Sequence, residues 1–177
     1  MRRLIERSLI IGAVLFVVIQ FIRPARTNPA IDPTRTIEAR TQMPEEVSAI
    51  FDMSCSDCHS YETKWPWYSQ VAPVSWLIWS DVQEGRSAMN LSDWAQYDSR
   101  RANEKLANIE KMVSRGVMPL WQYRLMHREA RLSSSDVKLL VEWTKAERQR
   151  LGGKPYQPVV EMLISSGPDI VEPEGWK

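Results

Sequence analysis

Hydrophobic and polar positions divide the chain into a short apolar head and a longer, helically patterned body. Leu9 to Ile22 carries no charge, and only Gly12 and Gln20 interrupt its apolar side chains. Fourteen helical residues rise about 21 Å, short of a bilayer's hydrocarbon core of about 30 Å. Counting from Leu4 adds a turn and a half, with Glu6 and Arg7 near the end, where long side chains reach back to the headgroups. The pattern predicts a membrane segment over residues 1–23, either a signal anchor or a signal peptide. The residues that follow, Arg23-Pro24-Ala25-Arg26-Thr27, contain no small-x-small cleavage site, which favours the anchor.

Residues 24–43 hold Pro24, Pro29 and Pro33 among polar side chains and read as a linker. From Pro44 the spacing turns helical. Pro44 with Glu45 and Glu46 makes a helix start, and Val47, Ile50, Phe51 and Met53 form its apolar face. Trp65-Pro66-Trp67-Tyr68 reads as a rigid aromatic turn. A second helix is expected from Pro73 to about Met89, and a third from Ser99 or Asn103, with Leu106, Ile109, Met112 and Val113 at helical spacing and Gly116 at its end. Trp121 to Glu129 fits one short helix. The last helix is capped by Ser133 with Asp136 three residues on, and buries Val137, Leu140, Val141 and Thr144. Lys145, Glu147, Arg148 and Arg150 suit its solvent end. No strand pattern competes. The fold class is therefore all-α, with the helical domain over residues 44–151 and a proline-rich tail over residues 152–177.

Composition adds two facts. The formal net charge of +1 gives no bias toward nucleic acid. Eight tryptophans are many for 177 residues and suit a small core built around a flat apolar cofactor.

The chemistry lies in the cysteines. Cys55 and Cys58 are the only two, and His59 follows directly, giving C-x-x-C-H. The chance of that arrangement arising at random is on the order of one in ten thousand. One helical turn holds thiols at i and i+3 on one side, where they can add to the two vinyl groups of a haem. The adjacent imidazole can then become an axial iron ligand. A disulfide, a redox pair or half a zinc site are the competing readings. Zinc would need further ligands, and His127 is the only other strong one. A haem of this type is attached outside the cytoplasmic membrane, which puts the domain on the periplasmic side.

The sixth iron position decides function. Met118, in a loop pinned by Pro119, is the expected ligand, His127 the alternative, and Met126 or no protein ligand the remaining options. For the haem propionates, Arg86 on the second helix and the indole nitrogens of Trp65 and Trp67 are the candidate donors, against a solvated helix-end role for Arg86. Tyr61 and Tyr68 are placed equally well.

At these residues the chain resembles the single-haem, membrane-anchored bacterial c-type cytochromes with a haem-binding domain of C-x-x-C-H type. The likeness runs through Cys55-Ser56-Asp57-Cys58-His59-Ser60, Glu62-Thr63, Trp65-Pro66-Trp67-Tyr68 and Ala72-Pro73-Val74-Ser75-Trp76. It continues in Asp81-Val82, Gly85-Arg86, Met118-Pro119, Tyr123, His127, Ala130 and Leu132-Ser133. It implies one covalent haem c and a cytochrome-c-like helical fold. Since it carries both the Met-Pro element and the later histidine, it leaves the sixth ligand open.

The expected function is one-electron transfer at the periplasmic face of the inner membrane, with redox proteins as partners. A haem-based gas or redox sensor is the alternative. A peroxidase-like role for His127 and Arg128 is the weakest reading, so the chain is expected to be an electron carrier and not an enzyme.

Overall fold

A computed structural model describes residues 1–152, so all but the first residue of the expected tail lies outside the described residues. Helices α1 Arg2–Ile19, α2 Ile37–Arg40, α3 Glu45–Ser54, α4 Ser56–His59, α5 Val74–Ala88, α6 Ser99–Ser114, α7 Trp121–Met126 and α8 Ser134–Arg150 are joined by 3-10 turns at Trp67–Gln70, Trp94–Gln96 and Arg128–Ala130. Among the described residues there is no strand.

Local chemistry sets the ends of the longer helices. The Asp98 carboxylate accepts from the Arg101 amide at 2.8 Å and starts α6, and Gly116, at φ +64°, turns the chain away beyond its end. A full capping box starts α8: Asp136 donates its amide to Ser133 Oγ at 3.1 Å, and Ser133 donates its own to Asp136 Oδ2 at 2.8 Å. The expected helix from Trp121 to Glu129 is instead two pieces. It breaks at His127, whose backbone leaves the helical region (φ −119°, ψ 84°) before the turn Arg128–Ala130.

The core forms where α6 and α8 pack along each other and α3 crosses α8. Phe51 meets Trp143 edge-on, with ring centroids 5.5 Å apart. Val47, Phe51, Leu106 and Leu140 are completely buried. Each such side chain contributes about 1.5–3 kcal/mol through burial.

Three expectations need correction. The first concerns residues 24–43, which are no free linker. Ile37 is completely buried in the core, its amide donates to Leu91 O at 2.9 Å, and Arg35 pairs with Asp93 at 2.7 Å. The helical domain thus begins before Pro44. The prolines suppress regular structure there, but one well-placed isoleucine is enough to pin the strap to the core.

The second concerns the last helix. Glu147 and Arg148 do not face solvent: both are buried. Arg148 donates to Asn103 Oδ1 and Glu110 Oε2, each at 3.0 Å, while Glu147 accepts from the Gln42 amide at 2.9 Å and from Arg150 Nε at 2.7 Å. Each charge is compensated by fixed partners, which makes its burial tolerable. Arg148→Ala is expected to destabilise the fold by about 1–3 kcal/mol. That is less than for a fully enclosed pair, because Glu110 keeps some solvent contact and has Lys145 at 3.8 Å as a second cation. The check is denaturant unfolding, where the midpoint should fall with an unchanged slope.

The third concerns the extent of the apolar head. It is helical only to Ile19, includes Arg2, Arg3, Glu6 and Arg7, and has no buried residue. No helix among the described residues is long and apolar enough to cross a membrane. Residues 20–22 turn instead onto the domain. The Gln20 amide group pairs with the backbone of Ala72, accepting its N–H at 2.9 Å and donating to its carbonyl at 3.2 Å.

Candidate functional site

The two cysteines and the histidine sit on one tight turn. Cys55 closes α3, with its amide bonded to Phe51 O at 2.8 Å, and its carbonyl accepts from the amides of Cys58 (3.2 Å) and His59 (3.0 Å) as α4 begins. The spacing of the motif is therefore held by backbone bonds of the motif itself. Both thiols are free of disulfide bonding. Burial pushes each up to about 12, assisted at Cys58 by the Asp57 and Asp81 carboxylates. Protonated thiols of this kind lack the thiolate character of a redox-active pair.

His59 is fixed from the end of α5. Its Nδ1 lies 3.1 Å from Met89 O, and its carbonyl accepts from the Leu91 amide at 2.8 Å. A carbonyl can only accept, so Nδ1 carries the proton and Nε2 keeps its lone pair. Burial lowers the imidazole's pKa and so favours the neutral form, against the opposing pull of the backbone bonds. A neutral imidazole with one nitrogen tied to a carbonyl is the form that ligates a metal.

These residues open onto a cavity of about 540 Å³. Its volume is that of a site for a drug-sized organic group. Cys55, Cys58 and His59 line one part. Leu77, Ile78, Val82 and Ala88 of α5 form an apolar wall, and Met118, Pro119, Leu120, Tyr123, Met126 and His127 complete it from the segment leading through α7. The cavity thus brings together both cysteines, His59, Met118 and His127. Zinc finds less support: among the described residues no group of three or more His, Cys, Asp or Glu side chains is arranged to hold a metal ion. A largely apolar slot, two free thiols one turn apart and a neutral imidazole with a free Nε2 together fit a haem.

The two candidates for the sixth position differ in what already holds them. Both ring nitrogens of His127 are engaged, Nε2 with Tyr68 Oη at 2.9 Å and Nδ1 with Glu129 Oε1 at 3.3 Å, and its ring stacks on Tyr123 at 4.3 Å. Iron ligation by Nε2 would require giving up the tyrosine. The Met118 thioether is a weak acceptor that needs no hydrogen bond. Its loop is held by the Met118 and Val117 amides, which donate to Met112 O at 3.3 and 3.0 Å.

The expected propionate donors lie elsewhere. Arg86 does not line the cavity; it is half-buried and engaged by protein acceptors. Its Nε donates to Ser60 O at 2.8 Å, Nη1 to Thr27 O at 3.0 Å, and Nη2 to Asn28 Oδ1 and Thr63 Oγ1, both at 2.9 Å. Its guanidinium also lies over the Tyr61 ring, 5.3 Å from the centroid. It clamps residues 27–28 to the segment after the motif. Trp65 Nε1 donates to Asn28 Oδ1 at 3.3 Å, and Trp67 stands 75% exposed outside the cavity. Tyr68 does line it.

Sequence reasoning missed several lining residues. Lys64 is a cation at the cavity, with its amide held by Asp57 Oδ1 at 2.9 Å. Asp57 also accepts from Tyr123 Oη at 2.7 Å, which joins the motif to α7. Asp81, whose carboxyl burial pushes up against a hydrogen bond from Gln122, faces the same space, and Gln122 Oε1 is buried without a partner. None of these follows a periodic pattern. Asp57, Asp81 and Tyr123 fall in the stretches that carry the family likeness, and Gly85, a glycine inside a helix, adds a signal of its own, since that position normally has a packing reason.

A family model described as a haem-binding domain matches residues 14–146. Neither the curated proteins nor the solved structures gave a match.

Proposed function

The chain belongs to the haem-binding domain family, and from that premise we propose that it is a single-haem c-type cytochrome that carries electrons. Cys55 and Cys58 are the thioether positions, His59 the axial ligand through Nε2, and Met118 the sixth ligand. The group supplies a one-electron couple when bound. The protein's part is to fix its ligands, exclude water with the apolar wall of α5, and spare the iron a reactive open position. The fold would then be a cytochrome-c-like helical arrangement, with the haem filling the space between α5 and the segment from Met118 to His127. The observation that carries this reading is His59 locked to Met89 O at 3.1 Å on a cavity shared with both thiols and Met118.

Membrane attachment through α1 belongs to the same proposal. Leu9 to Ile19 is apolar on every side, and Leu9 to Val18 is exposed throughout. A helix with one apolar stripe docks on protein, whereas one apolar all round suits lipid. With haem attached outside the cytoplasmic membrane, the domain faces the periplasm and meets redox proteins there.

The test is expression in a host able to attach haem c, followed by a pyridine haemochrome spectrum of the denatured protein. The expected spectrum is that of a haem with two thioether links. Cys55→Ser or Cys58→Ser should shift it to that of one link, and the double variant should lose its pigment to acidified acetone. A colourless wild-type product, or one that gives up its pigment to that solvent, would overturn the proposal.

The sensor reading has one observation in its favour: Tyr68, Gln122 and His127 place polar groups on the cavity wall, where they could hold a bound diatomic gas. Carbon monoxide titration of the ferrous protein separates the two. Ready uptake supports the sensor, and refusal supports the electron carrier.

A further inference from the structure

The sequence holds two uncharged stretches. One runs from Ser8 to Ile22, the other from Trp65 to Ser80, and the second contains Trp65, Trp67, Trp76 and Trp79, half of the chain's eight tryptophans. They lie far apart in sequence, yet the structure fastens one to the other. Gln20 pairs with both backbone groups of Ala72, Trp76 Nε1 donates to Ile22 O at 2.7 Å, and Arg26 Nη1 donates to Ser69 O at 3.4 Å. Gln20 Nε2 also donates to Phe16 O at 3.0 Å, so one side chain ties the last turn of α1 to the turn that precedes α5.

The surface made by this union is apolar and aromatic. Phe21 is 84% exposed and Trp67 75%, and neither lines the cavity, so a bound haem would leave both uncovered. Leu77 is half exposed and lines the cavity. The only charges between Ser8 and Ile31 are Arg23 and Arg26, and there are none between Trp65 and Ser80. Glu6 lies toward the far end of α1, and Asp81 and Glu84 of α5 line the cavity itself, so the carboxylates stand outside both stretches. Tryptophan together with arginine, and no carboxylate, is the composition of a protein surface at the headgroup level of a bilayer.

We infer that the apolar surface bearing Phe21 and Trp67 rests on the membrane, on the side of the domain where α1 ends. This rests on the proposal that α1 is membrane-embedded and adds the orientation of the domain. The Gln20 clamp sets that orientation, Arg23 and Arg26 meet lipid phosphates, and Trp67 enters the interfacial layer.

The test uses the full-length holoprotein in lipid nanodiscs. A benzophenone-bearing amino acid is placed in turn at Phe16 on α1, at Trp67 on the proposed contact surface, or at the exposed Asn108 of α6, and lipid adducts are measured by mass spectrometry after illumination. Adducts at Phe16 and Trp67, each several-fold above Asn108, are the expected result. Adducts at Phe16 with Trp67 no higher than Asn108 would overturn the orientation while leaving the anchor intact. Background yields at all three positions would remove the anchor, and the orientation with it. Equal high yields at all three would mean unoriented association and would also overturn the inference. With Gln20→Ala, the Trp67 adduct is expected to fall several-fold and the Phe16 adduct to persist. An unchanged Trp67 adduct would show that the clamp does not set the orientation.

Discussion

Met118→Ala is expected to lower the reduction potential by on the order of 0.1 V or more, within the span of about 0.8 V that axial ligands command, and to let the ferrous protein take up carbon monoxide. A thioether ligand favours the ferrous state, so removing it shifts the balance toward ferric iron. His127→Ala is the decisive companion. Its ring is committed to Tyr68, Glu129 and Tyr123, so its loss should leave potential and carbon monoxide access close to wild type. Potentiometric titration followed by visible absorption reads both variants. The opposite pattern, with Met118→Ala silent and His127→Ala shifted, would give the sixth position to the histidine. If neither substitution changes the potential and wild type already takes up carbon monoxide, no protein side chain fills that position, and the sensor reading replaces the electron carrier.

Legibility in the sequence followed the range of the interaction. Helices governed by their own periodicity and caps, α5, α6 and α8, lie within a residue or two of the expected bounds. So does the motif, because the bonds from Cys55 O to the amides of Cys58 and His59 are local. What escaped depended on a partner distant in sequence. Arg86 reads as a propionate donor or a solvated helix-end cation because Thr27 and Asn28, two of its acceptors, belong to a stretch that reads as a linker. Glu147 and Arg148 looked solvated because nothing in the pattern of α8 announces that Gln42, Asn103 and Glu110 surround them. Gln20 read as a flaw in an apolar run, yet it is the side chain by which that run grips Ala72. In each case a polar residue is paired by the fold with a partner that the local pattern does not announce.

Gly85 shows the converse, a residue whose value is the absence of a side chain. Gly85→Val is expected to abolish covalent haem attachment, and Gly85→Ala to lower the yield of holoprotein several-fold. A Cβ at this position would lie 2.4 Å from Cys58 O and 2.9 Å from Cys58 C. Those are backbone atoms and cannot rotate aside, so α5 would have to move off α4. In an exposed helix, alanine for glycine would gain up to about 1 kcal/mol of propensity. Overpacking here opposes that gain with about 1–3 kcal/mol, so the net effect is a loss. The displacement matters because α5 serves the site twice: its apolar side chains are one wall of the cavity, and Met89 at its end holds the His59 ring. Moving the helix would widen the slot and release the imidazole together. Gly116→Ala is the control. It sits at φ +64° with no atom within 4 Å of the added carbon, so it should cost about 1–2 kcal/mol in backbone strain while haem content per protein chain stays at the wild-type level. A Gly85→Val protein with full haem content would mean that close contact between α4 and α5 is not what shapes the haem site.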